Sequence, residues 1–486
     1  MILDENMKIS DLLKGFEYKR NFESDFEITG VEYDSRNVEI GNLFFCISGL
    51  KTDGHKFAPM AVEKGAAVLV VTRELELDIP QIIVEDDRLA MALLSCRFFG
   101  NPAKKLKMIG VTGTNGKTTI TYMMKAMLEE CGKKVGLVGT IHNMIGDREI
   151  YTSHTTPESP DLNRFMRDML SEGCEYLVIE VSSHSLDLKR VAGIEFDVGI
   201  FTNLTQDHLD YHKNFENYSA AKAMLFASSK VSILNMDDKA YVDMEKASAG
   251  KVMLYGTNTE ADFSARNIYV APGGTDFDYF EGDEKKRKVK LRMTGDFNAL
   301  NALSAIITVK TLNIDFEKCI RGLERIAAVD GRCQVLDTEG RGFSVILDYA
   351  HTPDSLESTI SSVRGFAKKR IITVFGCGGN RDEKKRPIMG EISGRLSDFS
   401  IITSDNPRNE DPNDIIREIK VGMEETDGEY TIIENRREAI KFALEIAEKD
   451  DIVILAGKGH ETYQEIKDIK YDFDEKIVIK ELLEEI

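Results

Sequence analysis

The segment Gly110-Val-Thr-Gly-Thr-Asn-Gly-Lys-Thr-Thr119 constrains this chain more than any other. It follows a short apolar run, Met108 to Val111, and leads into a stretch of helical character that starts near Lys117. A glycine-rich turn between a buried strand and a helix lets backbone N–H groups converge on phosphate oxygens, with the positive end of the helix dipole behind them. Lys117 is spaced to reach the outer phosphates and Thr118 to ligate Mg²⁺, so the natural ligand is a nucleoside triphosphate. The loop is a variant: the general spacing puts its first glycine at position 111, where this chain has Val111, and Gly110 and Gly113 serve instead.

At 486 residues the chain is long enough for two or three domains. From about Ile28 to Val84, β-rich pieces such as Asn42 to Ile47 and Ala66 to Val71 alternate with glycine turns, as in a small α/β domain. After the basic run Lys104 to Lys107, strand and helix alternate through Tyr176 to Glu180 and Val198 to Phe201, which predicts a doubly wound parallel sheet. A third unit starts near Gly331, with apolar strands at Val345 to Leu347, Ile371 to Phe375, Phe399 to Thr403 and Ile452 to Leu455. The expected units are residues 1–104, 105–330 and 331–486, and Ala271 to Lys288 reads as an exposed turn or hairpin.

Composition removes several classes. A formal net charge of −20 argues against phosphate-backbone binding, so nucleic acid is not an expected partner. The seven cysteines are scattered from Cys46 to Cys377 without a CxxC pair or finger spacing, which fits idle thiols in a reducing cytoplasm. The opening segment, Met1 to Phe16, alternates charged and apolar residues, and later apolar runs such as Ile452 to Ala456 are only strand-length. The expectation is a soluble, unexported, cytoplasmic protein without stable membrane insertion.

A phosphate loop is shared by switches, transporters and kinases, so neighbouring residues must narrow the chemistry. Glu180-Val-Ser-Ser-His184 puts a carboxylate at the end of a parallel strand, the edge where ligands bind in such sheets. Glu180 is therefore a candidate magnesium ligand. The next strand ends in Thr202-Asn-Leu-Thr-Gln-Asp-His-Leu-Asp-Tyr-His212, which gathers Asp207, His208, Asp210 and His212 in a chain of only eight histidines. One such histidine alone would read as a hydrogen-bonded surface residue; their clustering at a strand end points to a site.

Together with Tyr218-Ser-Ala-Ala-Lys222, Asp348-Tyr-Ala-His-Thr-Pro353 and Gly457-Lys-Gly-His-Glu461, these motifs occur in the order seen in the Mur ligases, and the resemblance spans nearly the whole chain. It is closest to the branch that adds meso-diaminopimelate or L-lysine to UDP-N-acetylmuramoyl-L-alanyl-D-glutamate in peptidoglycan synthesis. The resemblance implies a three-domain α/β architecture, with an N-terminal uridine-nucleotide domain, a central P-loop sheet and a Rossmann-like C-terminal domain. Tyr33-Asp-Ser-Arg36, Gly41-Asn-Leu-Phe-Phe45 and Asp53-Gly-His55 resemble that first domain.

The implied reaction phosphorylates the γ-carboxylate of the substrate's D-glutamate with ATP, and an incoming amine then attacks the acyl phosphate. The resemblance assigns Gly113, Thr114, Asn115, Gly116, Lys117, Thr118, Thr119, Asn298, Arg332, Asp348 and His351 to ATP. Thr118, Glu180 and His208 would hold Mg²⁺, supported by Lys222 as a carbamate; without the resemblance Lys222 reads as a solvated helix lysine. Ser35, Thr52, Thr155, Thr156, Ser182 and Arg190 would contact the UDP-muramoyl peptide. Arg381, Asp405, Asn406, Pro407, Arg408, Gly457 and Glu461 would hold the amino acid. A guanidinium fork binds a carboxylate through paired charge-assisted hydrogen bonds, so Arg408 favours diaminopimelate, whose far carbon carries one, over lysine. Alone, Asp405-Asn-Pro-Arg408 is also compatible with a plain turn.

Two positions depart from some relatives: Leu188 stands where a glutamine precedes the motif's arginine, and His154 replaces an asparagine before Thr155. Lysine addition, a folylpolyglutamate synthase and a non-catalytic P-loop module are the alternatives. The synthase would not need Asp34-Ser-Arg36, and the module would need neither Lys222 nor His208. A monomer is expected.

Overall fold

The protein is described here from a computed structural model covering residues 6–49, 52–150, 154–271 and 273–485; the first five residues of the opening segment lie outside it. Three helix-covered sheets follow one another along the chain. The N-terminal sheet has five strands in the order Lys19–Arg20, Gln81–Ile83, Val68–Val71, Asn42–Phe45 and Gly30–Glu32, parallel apart from the first.

The central sheet has eleven strands. Its functional part comprises β1 (Lys107–Thr112), α1 (Lys117–Glu130), β2 (Tyr176–Glu180), β3 (Phe196–Phe201), α2 (Phe215–Ala227) and α3 (Phe297–Thr311). Every residue of β2 is buried, as a strand covered on both faces requires. β1 lies between β2 and β3, parallel to both, with Val111 opposite Glu180 and Thr112 opposite Phe201. All three strands therefore end at one edge, where their following loops meet. The apolar face of α1, including Met123, Met127 and Leu128, is fully buried against this sheet, at about 1.5–3 kcal/mol for each side chain.

The segment expected as an exposed turn or hairpin does form a hairpin, Gly274–Glu281 with Glu284–Leu291. It is not exposed throughout: Phe277, Tyr279 and Val289 are buried in the core cluster that holds Ala302 and Ile306 of α3. Its alternating charged residues masked a strand pair with one covered face.

The last sheet is built from β4 (Ser344–Asp348), β5 (Ile371–Phe375), β6 (Phe399–Ile402) and β7 (Ile452–Ala456), with α4 (Pro353–Arg364) following β4. Its order is Gln334–Leu336, β4, β7, β5, β6 and Tyr430–Ile432, with only the first strand antiparallel. Strand order reverses around β7, and such a switch opens a crevice at the carboxyl ends of the strands. Beyond it lies a hairpin of β8 (Tyr463–Ile466) and β9 (Ile469–Asp472). Among the described residues no helix is long and apolar enough to cross a membrane.

Specific contacts join the three parts. Tyr33 donates its hydroxyl to Asp161 at 2.6 Å, and Arg164 pairs with Glu32 at 2.7 Å. Across the second joint, Asn115 donates to Asp354 at 2.7 Å and Arg332 to the Thr118 hydroxyl at 3.0 Å. The carboxyl edges of the central and C-terminal sheets thus face one another.

Candidate active site

The loop after β1 is held open by its glycines. Gly113 has φ +146° and Gly116 φ +89°; a Cβ at Gly113 would lie 1.8 Å from the Thr202 hydroxyl oxygen. Gly116 caps α1 without any side-chain hydrogen bond, so the first N–H groups of the helix are not taken by a capping side chain. Lys117 curls back to donate to the carbonyls of Gly113 and Thr114 at 2.9 and 2.8 Å.

Glu180 is fully buried at the end of β2. Its carboxylate accepts from the Thr140 amide at 2.9 Å, the Thr140 hydroxyl at 3.0 Å and the Thr118 hydroxyl at 3.1 Å. A Cβ at Gly139 would come within 2.4 Å of it, so the backbone is moulded around this carboxylate. Lys222, on α2, is 1% exposed and donates to the Gly113 carbonyl at 2.7 Å, with its ammonium 4.5 Å from the centre of the Tyr218 ring. Burial, reinforced by the Lys117 charge, drives its pKa well below the ordinary lysine value. His208 has φ +55° and lies 3.2 Å from Asp207. Desolvation holds its pKa below the ordinary histidine value, against the opposing pull of Asp207.

These donors fit Mg²⁺. A hydroxyl and a carboxylate already in contact, Thr118 and Glu180, are hard oxygen ligands, and Mg²⁺ characteristically draws the rest of its shell from phosphates and water. Among the described residues no three His, Cys, Asp or Glu side chains form a protein-only cage.

A cleft of about 670 Å³ runs from His208 and Thr155 to the loops at the carboxyl edge of the C-terminal sheet. Asp405, Asn406, Arg408, Gly457 and Glu461 line its far wall, and Arg381 joins them from the loop after β5. Lys458, fully buried, lies 3.5 Å from Asp405 and 3.2 Å from Glu461 and donates to Asn406 at 3.1 Å. Burial acts to raise the Asp405 pKa, but Lys458 and then Arg436 outweigh it and hold the carboxyl below its usual value. Glu461 moves the other way, raised by burial and by the Asp405 charge. Arg408 pairs through Nε with Glu465 at 3.0 Å.

Other expected residues are placed less directly. Arg332 reaches Thr118 and stacks 4.7 Å from the Tyr349 ring, and His351 lines the cleft with its pKa lowered to about 4, first by burial and then by Lys385. Asp348 is buried and accepts from the amides of Cys333 and Ala350 at 2.6 and 2.9 Å. Asn298 donates to the Thr294 carbonyl and accepts from Asn301, and it is Asn301 that lines the crevice between the phosphate loop and α4. Thr155 lines the cleft, whereas Thr156 is fully buried and donates to the Glu180 carbonyl at 2.8 Å. Ser182 caps the helix Ser183–Asp187, and Arg190 donates to the Thr156 carbonyl at 2.9 Å. Pro407 is buried. Ser35 is buried in the N-terminal part and Thr52 exposed there; neither lines this cleft.

Known proteins give the arrangement its family. Models described as Mur ligase family, catalytic domain, Mur ligase middle domain, and Mur ligase, glutamate ligase domain match residues 27–93, 111–309 and 331–459. A UDP-N-acetylmuramoyl-L-alanyl-D-glutamate--2,6-diaminopimelate ligase of Clostridium tetani (strain Massachusetts / E88) is 48% identical over 99% of this chain and 100% of its own length. The chain belongs to the Mur ligase family. A ligase of the same name, numbered 1, from Clostridium acetobutylicum is 50% identical over 95% of each chain. A solved structure of a diaminopimelate ligase shares 32% identity and a TM-score of 0.68 over 94% of this Mur ligase and 95% of its own chain.

Sequence reasoning missed Asn301, Asp354, Lys458 and Glu465. Asn301 stands three residues after Asn298 in the same motif, on the same face of α3 one turn further on, and a Cβ at Gly116 would lie 2.6 Å from its side-chain oxygen. Lys458 lies inside the quoted Gly-Lys-Gly-His-Glu run, where its neighbours alone were assigned roles.

Proposed function

We propose that this chain joins meso-diaminopimelate to UDP-N-acetylmuramoyl-L-alanyl-D-glutamate in peptidoglycan synthesis, using ATP and releasing ADP and phosphate. The observation that carries this reading is a pair of adjoining pockets that share Thr155, His208 and His351 as wall residues, one lined by the phosphate loop, Glu180 and Lys222 and the other by Asp405, Arg408 and Glu461. The names of the full-length relatives support it.

In this reading Lys117 exchanges the carbonyls of Gly113 and Thr114 for the outer phosphates of ATP, and the N–H groups of α1 receive the rest. Thr118 and Glu180 would hold one Mg²⁺ and His208 would help hold a second, and the ions would supply countercharge for a phosphoryl group bound for the D-glutamate γ-carboxylate. Lys222 is the residue that becomes a carbamate: burial favours its unprotonated amine, the form able to add carbon dioxide, and the product turns a repelling cation into an anion. Thr155, Ser182 and Arg190 approach the muramoyl peptide from the end of β2, while Ser35 and Thr52 serve the uridine end.

The acyl phosphate must be kept from water until the amine arrives. The walls of the cleft come from two sheets, and Asn115 to Asp354 and Arg332 to Thr118 are the hydrogen bonds that bring them together. At the far wall Asp405 and Glu461 attract an ammonium, while Arg408 and Arg381 meet carboxylates. The enzyme acts as a cytoplasmic monomer, where its nucleotide substrates are made.

ATP-dependent phosphate release with the UDP-muramoyl dipeptide tests this, comparing meso-diaminopimelate with L-lysine and weighing the product. Strong preference for diaminopimelate is expected. Preference for lysine would overturn the role given to Arg408, and turnover with neither would overturn the ligase reading.

A further inference from the structure

We propose that Glu465 is a positioning residue that aims Arg408 at the distal carboxylate of the incoming amino acid, an inference that rests on the diaminopimelate reading above. Arg408 has φ +52°, a left-handed conformation that a non-glycine residue keeps only when its surroundings hold it. The surroundings here are the end of β8. The Arg408 amide donates to the Glu465 carbonyl at 3.0 Å, and the Lys467 amide donates to the Arg408 carbonyl at 2.8 Å, so Arg408 forms one rung beside Ile466.

Side chains complete the clamp. The Glu465 carboxylate accepts from Arg408 Nε at 3.0 Å, and the Gly379 carbonyl accepts from Nη1 at 2.8 Å. The Glu465 amide in turn donates to Asn406 Oδ1 at 2.9 Å, which fixes residue 465 within the same pocket wall. A guanidinium carries five N–H donors in one plane. With Nε and one Nη1 proton engaged, the plane is set, and the end of the fork remains for a carboxylate in the cleft that Arg408 lines.

A purely electrostatic role gives the opposite sign. Removing the Glu465 charge leaves Arg408 less neutralised, which would strengthen binding of a dicarboxylic amino acid; loss of aim weakens it. The test is steady-state kinetics with meso-diaminopimelate for E465Q, E465A, R408A and the double variant R408A/E465A. E465A should raise the diaminopimelate KM about tenfold, the order expected for losing a charged hydrogen bond, with kcat and the KM for ATP within about twofold. E465Q, nearly isosteric and still an acceptor, should fall between wild type and E465A, and it carries the test should E465A fold poorly. The double variant should be no worse than R408A, because Glu465 acts only through Arg408. An unchanged or lowered KM in both Glu465 variants, or effects that multiply in the double variant, overturns the inference. If R408A itself leaves diaminopimelate kinetics unchanged, the reading of the pocket falls, and this inference with it.

Discussion

The two adjoining pockets handle charge in opposite ways. At the phosphate end, Lys117 and Lys222 donate to backbone carbonyls, and among the described residues neither makes an ion pair. At the amino-acid end, Lys458 sits between Asp405 and Glu461, Arg408 pairs with Glu465, and Arg436 with Glu475 at 2.7 Å. At the first end two lysine nitrogens have backbone carbonyls as their partners and, among the described residues, no carboxylate within ion-pair distance, so its electrostatics are left for a ligand to complete. The second is neutralised beforehand, so it discriminates by where its groups point.

Substituting the two buried lysines breaks this contrast most sharply. Lys222→Ala should lower ligation by about 10³-fold or more, the scale of losing metal-assisted charge stabilisation, while nucleotide affinity measured by titration stays largely intact. Lys458→Met should cost about 3–5 kcal/mol of folding stability, because it leaves Asp405 and Glu461 facing one another without their shared cation. Lys222→Met should not destabilise in this way, since no carboxylate loses a partner; denaturant unfolding of both variants reads the difference.

Acid titration sharpens the comparison at the second end. Glu461 has a raised pKa, so as pH falls it takes up a proton before an ordinary glutamate does and loses its hold on an ammonium. The KM for the amino acid should therefore rise on the acid side of the profile before that for ATP. The smallest effect is expected at the joint: Asp354→Ala removes one hydrogen bond to Asn115, worth about 1 kcal/mol, and should raise the KM for ATP by a few-fold.

The phosphate end was legible because its chemistry is contiguous: residues 110–119 contain strand end, turn, lysine and hydroxyl in one run, and α1 begins at Lys117 as its pattern predicts. The apolar strands were legible for the same local reason, and β2 and β5 match the runs read from the sequence. The amino-acid end was only partly readable. Asp405 and Arg408 are close in sequence, but Glu465 reaches Arg408 from 57 positions away through a hairpin outside the main sheet. Asn298 and Asn301 could not be told apart by composition, since they share one face of α3 and differ only in which of the two meets the loop at Gly116. Asp354 gains its partner only when two sheets face one another.

The order of the C-terminal sheet also sorts the side chains of the site by the framework that carries them. Asp405, Arg408, Gly457, Glu461 and Glu465 all follow strands of that one sheet, whereas the phosphate loop, Glu180 and Lys222 belong to another. The two groups of side chains are therefore carried by separate frameworks, and the bonds from Asn115 to Asp354 and from Arg332 to Thr118 are what couples one framework to the other.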